Sequence, residues 1–234
     1  MPPKPSRLQI LQLEADFVVV DKPAGLLSIE APGRDPRQSV VHAARALLEE
    51  RGEPAEIYAV HRLDEETTGS LVLARNKEAR AYFEKLFAAH RIERIYHAIV
   101  LGKPHPATGR IESRLRIDES GIVETTSEGG EPAITDYATV HVGRGHSVVA
   151  CRLETGRRNQ IRVQLADRGC PLVGDRKYGR HDPRFAEQPA PRTLLHATAL
   201  GFVPPGRREP QNYVAPFPKD FARFLGEDVL RQLL

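Results

Sequence analysis

The chain has 234 residues, 40% hydrophobic and 28% charged, enough to bury a core in one large domain or two small ones. Its net charge of +3 excludes a histone-like polycation, and two cysteines, Cys151 and Cys170, exclude a disulfide framework and a cysteine metal cluster. The first residues lack the apolar run of a signal peptide and no stretch is long enough to span a bilayer, so a cytoplasmic protein without a membrane partner is expected.

Residues 1–7 are proline-rich and expected to be loosely attached, which leaves 8–234 as a single domain. Leu8–Leu13 alternates apolar and polar, and Phe17–Val20 is a β-branched run, so both are predicted strands. Asp21-Lys-Pro-Ala-Gly25 reads as a turn, with Lys22 a solvated turn residue rather than a phosphate contact. Ser39 is placed to cap a helix through Val40–Leu48 that ends near Gly52.

Ile57–Asp64, Glu65–Ser70 and Leu71–Arg75 then read as strand, loop, strand, with Asp64 where the first strand gives way to the loop. A carboxylate held on such a loop is a candidate catalytic group, although taken alone such an Asp more often bonds the turn's own amides. Lys77–Arg91 has Ala81, Phe83, Leu86, Phe87 and Ala88 at near-helical spacing, which makes its aromatics core residues rather than a base-stacking platform.

Arg94–Leu101 is a predicted strand with Tyr96 near its start, and Gly109–Val149 is β-like text punctuated by glycine turns. The pattern changes at Glu154–Gly169, read as a short helix opened by Thr155-Gly156 with Arg157, Arg158 and Arg162 near its beginning. Arginines there oppose the helix dipole unless an anion binds, a local conflict that points to function. Pro171–Gly179 is turn-rich, Thr193–Val203 a last strand and Phe221–Leu234 a terminal helix. The absence of a βαβαβ rhythm gives an α+β fold with a largely antiparallel sheet.

Asp64, Tyr96 and Arg162 are chemically complementary, because a guanidinium keeps a carboxylate ionised and a phenol can stack or shuttle a proton. Spacing alone does not bring them together. Neither a phosphate-binding glycine loop, a dinucleotide fingerprint nor a nucleophile elbow is present, and the nine histidines show no metal spacing. Of the 34 basic residues 27 are Arg, the better phosphate ligand, although codon bias gives the same figure.

His61-Arg-Leu-Asp64 followed by Thr67-Thr-Gly-Ser-Leu-Val-Leu-Ala74 resembles the signature of the RluA family of RNA pseudouridine synthases. Asp21-Lys-Pro-Ala-Gly25, Arg94-Ile-Tyr96, Thr155-Gly-Arg157, Gln160-Ile-Arg162, Pro171-Leu-Val-Gly-Asp175 and Leu195-His-Ala197 match in the same order. The resemblance implies isomerisation of uridine in structured RNA, of ribosome or tRNA, without cofactor or metal; no assembly seam is apparent in the sequence, so a monomer is expected. The resemblance also implies a mixed, mainly antiparallel central sheet with flanking helices and a catalytic cleft. Asp64 would be the essential carboxylate, Tyr96 would lie against the flipped base and take its C5 proton, and Arg162 would pair with Asp64.

Arg62 would help fill the space left by the flipped nucleotide, with Arg157, Arg158 and Gln160 as further RNA contacts. Two departures stand out: Arg158-Asn159 replaces a frequent Thr-His, and with the Asp-Lys-Pro turn at residue 21 a short member without an N-terminal S4 domain is expected. The alternatives are a non-catalytic RNA-binding or chaperone protein on the same fold and a hydrolase pairing Asp64 with Glu65 or Glu66.

Overall fold

The computed structural model describes residues 8–233; the loosely attached segment expected at residues 1–7 lies outside them. In chain order the elements are β1 (Gln9–Leu13), β2 (Phe17–Lys22), α1 (Val40–Glu49), β3 (Tyr58–Ala59), β4 (Thr68–Ala74) and α2 (Lys77–Ala88). There follow β5 (Glu93–Leu101), β6 (Thr108–Ile117), β7 (Val123–Thr126), β8 (Glu131–Val142) and β9 (His146–Leu153). The chain closes with α3 (Gln160–Asp167), β10 (Leu195–Phe202), β11 (Gln211–Val214), α4 (Lys219–Leu225) and α5 (Glu227–Gln232). It divides into two compact units, one of residues 1–93 and 197–216, the other of residues 94–196 and 217–234.

The first unit is built on β4, whose seven residues are all buried. β2 runs antiparallel beside it, with Phe17 opposite Ala74 and Lys22 opposite Gly69, and β1 runs antiparallel on the outer side of β2. β10 flanks the other side of β4 and carries β11 antiparallel to itself. Phe17, Val19, Val72, Phe83, Phe202 and Tyr213 fill the core under α2, with Phe17 edge-on to Phe83, Phe202 and Tyr213 at 5.5–5.9 Å. α1 begins where expected, because the Ser39 hydroxyl accepts the amide of His42.

The second unit has the strand order β5-β9-β8-β6-β7, every neighbour antiparallel. One core joins Ile99, Leu101, Val173 and Leu194 to Phe221 and Leu230 of the C-terminal helices, and a second joins Leu115, Val123, Ala133 and Val163. Among the described residues no helix is long and apolar enough to cross a membrane.

The structure corrects four element expectations. Ile57–Asp64 is not a strand beyond Tyr58-Ala59, because the next β4 amide, that of Val72, donates to the imidazole Nε2 of His61 at 3.0 Å and the ladder stops there. The helix expected from Thr155 begins only at Gln160, so Arg157 and Arg158 precede it. The terminal helix is two short ones, broken at Gly226 with φ +83°. β11, short and polar, was not foreseen, and β7 lies within the β-like stretch without being singled out there; each is held by one long neighbour, β10 or β6.

Candidate functional site

The segment that carries Asp64 is bracketed by backbone bonds rather than by regular structure. The Ser28 hydroxyl receives the Leu63 amide and donates to the Leu63 carbonyl, both at 2.8 Å. The Asp64 carbonyl accepts the Thr67 amide at 3.1 Å, which closes a turn directly after the candidate carboxylate. The Gly25 amide donates to the Glu65 carbonyl at 2.9 Å, so the Asp21–Gly25 turn lies against this one.

Lys22 is the centre of that contact, and neither solvated nor exposed. Its side chain is 0% exposed. Its ammonium donates to the carbonyls of Thr67 at 2.7 Å, Glu65 at 2.9 Å and Pro23 at 3.1 Å. Carbonyl acceptors of this kind offset the cost of burying an ammonium, and in return its bonds fix the path of the chain behind Asp64. Arg34 reaches over the same turn to the Glu65 carboxylate at 2.7 Å. Arg62 is exposed and makes no side-chain hydrogen bond or ion pair among the described residues.

In the second unit, α3 is locked to the sheet by amide side chains one turn apart. Gln160 is 2% exposed. Its carbonyl oxygen accepts from Thr155 Oγ1 and the Arg157 amide, and its Nε2 donates to Ile134 O and Thr135 Oγ1. All four bonding positions of the amide are filled. The RNA contact expected of Gln160 therefore gives way to a bracing role. Gln164 does the same to Thr135, Ser113 and Ala133. Two glutamines on a helix face gave no apolar periodicity by which this seam could be read.

Ahead of Gln160, Asn159 takes φ +55°, a conformation that Asn tolerates better than most residues. Its side chain does not cap the helix; it accepts Arg162 Nη1 at 3.0 Å and donates to the Tyr178 hydroxyl at 3.0 Å. Arg162 is gripped on its other edge by Asp175, Nε to Oδ2 at 2.7 Å and Nη2 to Oδ1 at 2.9 Å, a bidentate geometry that fixes the guanidinium plane. Asp175 is fully buried and also accepts the amides of Lys177 and Tyr178. The Tyr178 ring lies 5.2 Å from the Arg162 guanidinium carbon.

Tyr96 is 7% exposed on β5, opposite Cys151 of β9. Arg94, two residues earlier, is turned inward and donates to the carbonyls of Leu153 and Glu154. Arg157 is half-buried, its guanidinium on Pro132 O and the Glu131 carboxylate, whereas Arg158 is exposed without a side-chain bond among the described residues. Thus Tyr96 and Arg162 belong to one unit and Asp64 to the other. Lys22, Asp175, Asn159 and Tyr178 are added to the residues foreseen. No group of three or more His, Cys, Asp or Glu side chains among the described residues is placed to hold a metal ion.

Comparison with known proteins agrees with this arrangement of motifs. The chain is 38% identical over 216 residues to an uncharacterized RNA pseudouridine synthase of Chloroflexus aurantiacus, with 91% of this chain and 65% of that protein covered. It is 32% identical over 228 residues to ribosomal large subunit pseudouridine synthase D of Zymomonas mobilis, with 93% and 72% covered. The chain thus spans about two thirds of the length of these relatives. Among solved structures, human RNA pseudouridylate synthase domain containing 4 superposes with a TM-score of 0.73 at 25% identity, over 95% of this chain and 93% of that one. The RNA pseudouridylate synthase family model matches residues 16–167. With more than half of its length so matched, the chain belongs to the RNA pseudouridylate synthase family, as its RluA-type motifs imply.

Proposed function

We propose that this protein isomerises uridine to pseudouridine in structured RNA, with Asp64 as the essential carboxylate. The N1–C1′ bond of the target nucleotide breaks, a C5–C1′ bond forms, the C5 proton leaves and N1 ends protonated, so atoms balance without an oxidant or a cofactor. Tyr96 packs against the extruded base and takes the C5 proton; Arg162, its plane set by Asp175 and Asn159, pairs with Asp64. Arg62 fills the gap in the stacked strand, because chemistry on a base requires removing it from the stack.

The observation that carries this reading is the footing of Asp64. A family member with no use for the carboxylate has no use for a buried ammonium and a buried hydroxyl spent on the backbone around it. The names of the relatives favour a large-subunit ribosomal RNA as substrate over a tRNA. The reading places the protein in the cytoplasm, acting as a monomer.

The test is site-by-site mapping of pseudouridine in total RNA from a strain lacking the gene, against its parent. Loss of signal at one or a few uridines, restored by the wild-type gene and not by Asp64→Asn, is expected. An unchanged map with the protein expressed, or full restoration by Asp64→Asn, would instead assign a binding role without catalysis.

A further inference from the structure

We propose that Arg158 and Lys177 together form a seat for a backbone phosphate of the substrate RNA, gathered around Tyr178. The proposal rests on the reading of the chain as an RNA-modifying enzyme and adds a second anchoring point to it. Tyr178 organises the cluster. Its hydroxyl is held by Asn159, the residue after Arg158, and its ring centre lies 5.7 Å from the Lys177 ammonium and 5.2 Å from the Arg162 guanidinium carbon.

The charges there do not balance internally. Asp175 is committed to Arg162. Among the described residues neither Arg158 nor Lys177 has a carboxylate at ion-pair distance, and Lys177 Nζ reaches only the Gly121 carbonyl, at 3.4 Å. Several other surface arginines are paired: Arg34 with Glu65, Arg116 with Glu124, Arg157 with Glu131, Arg184 with Asp182. Burial, with Arg158 and Arg162 nearby, pushes the Lys177 ammonium below its usual range against the weaker pull of Asp118 and Asp175, so repulsion prevails there and a bound anion relieves it.

The surroundings favour RNA over a small anion. The turn that Lys177 touches is preorganised by Asp118, which accepts the Ile122 amide at 2.7 Å and the Ser120 hydroxyl at 2.8 Å. On either side of this turn Ile117 and Ile122 are 57% and 40% exposed. Two cations beside exposed aliphatic side chains match a chain of phosphates and riboses, while a free inorganic anion has no use for the aliphatic part.

Binding of a large-subunit ribosomal RNA transcript is measured over a range of KCl for the wild type, Lys177→Gln, Arg158→Gln and, as a control of equal charge loss, Arg223→Gln. Each of the first two variants is expected to raise Kd several-fold. Each is also expected to flatten the plot of log affinity against log salt by about 0.7–0.9 for every phosphate left without its cation, whereas Arg223→Gln keeps the slope. Unchanged Kd and slope in Lys177→Gln and Arg158→Gln, with the wild type still modifying the transcript, would overturn the seat and leave the catalytic reading in place. Inorganic phosphate that displaces RNA at matched ionic strength from wild type, but not from Lys177→Gln, would support a shared phosphate seat. A wild type that binds with the full slope yet modifies no RNA would remove the catalytic reading and leave the seat standing.

Discussion

Lys22 makes the Asp64 turn dependent on a residue that is itself wholly buried. A fully buried ammonium with three carbonyl acceptors is a directional clamp, because each bond fixes one peptide plane of the segments it joins. Lys22→Met fills the same space without the donor. It leaves the Thr67 and Pro23 carbonyls short of a partner while the Glu65 carbonyl still accepts Gly25. Removing the buried charge offsets part of that loss. The net expectation is a fold weakened by roughly 1–3 kcal/mol, read as a lower midpoint in thermal unfolding. Turnover is expected to fall further than RNA affinity, because the displaced loop carries Asp64 whereas Arg158 and Lys177 are untouched. A variant with wild-type kcat and an unchanged midpoint would show the clamp to be incidental. The same logic explains why sequence reading missed it: a lysine in an Asp-Lys-Pro turn looks solvated until its three acceptors, up to 45 residues away, are known.

At the scale of elements, β4 is the strand on which the first unit depends, and Gly69 at its head is its tightest point. Its φ of +112° is a conformation that side-chain-bearing residues rarely adopt, and an added Cβ would lie 2.1 Å from the Ala197 carbonyl oxygen, a backbone atom of β10. Gly69→Ala therefore forces β4 and β10 apart at the end next to the Asp64 turn. Strain and overpacking each cost about 1–3 kcal/mol, so the variant is expected to lose several kcal/mol and much of its soluble yield. Chemical denaturation that gave wild-type stability would refute that close approach. Runs such as Phe17–Val20 and Leu71–Ala74 were legible as strands, because their β-branched and apolar residues are buried on both faces. What sequence could not show was where side chains replace the ladder. His61 ends β3 by taking the Val72 amide, and Gln160 delays α3 by taking the Arg157 amide. Asp64, Tyr96 and Arg162 were legible as motif residues, but the shell that orients Arg162 was not, since Asn159, Asp175 and Tyr178 meet only in the folded second unit.

At the scale of the whole molecule, each unit holds one buried titratable group, and the two contribute to stability with opposite signs in acid. In the first unit, burial lifts the Asp21 carboxyl from 3.8 to about 6, against the pull of neighbouring Lys22. The folded state then holds a proton that the unfolded chain releases, so this contribution is complete below pH 3.8 and is lost as pH rises through about 6. In the second unit, burial depresses His97 from 6.5 to about 4, its ring edge-on to Phe217 at 5.2 Å. Here the unfolded chain takes the proton first. The contribution is complete above pH 6.5 and disappears as pH falls through about 4, a swing on the order of 3 kcal/mol. Between pH 7 and pH 5, then, the first unit gains and the second loses. Hydrogen exchange, corrected for intrinsic rates, should show protection falling in β5, β8 and β9 while β2 and β4 hold or strengthen. His97→Leu should reduce the loss in the second unit, leaving the smaller part owed to His146, which burial also depresses, and Asp21→Asn should flatten the response of the first without touching the other. If protection instead fell in both units together and His97→Leu left the profile unchanged, acid sensitivity would have to reside in other groups, because neither substitution alters the charge balance of the opposite unit.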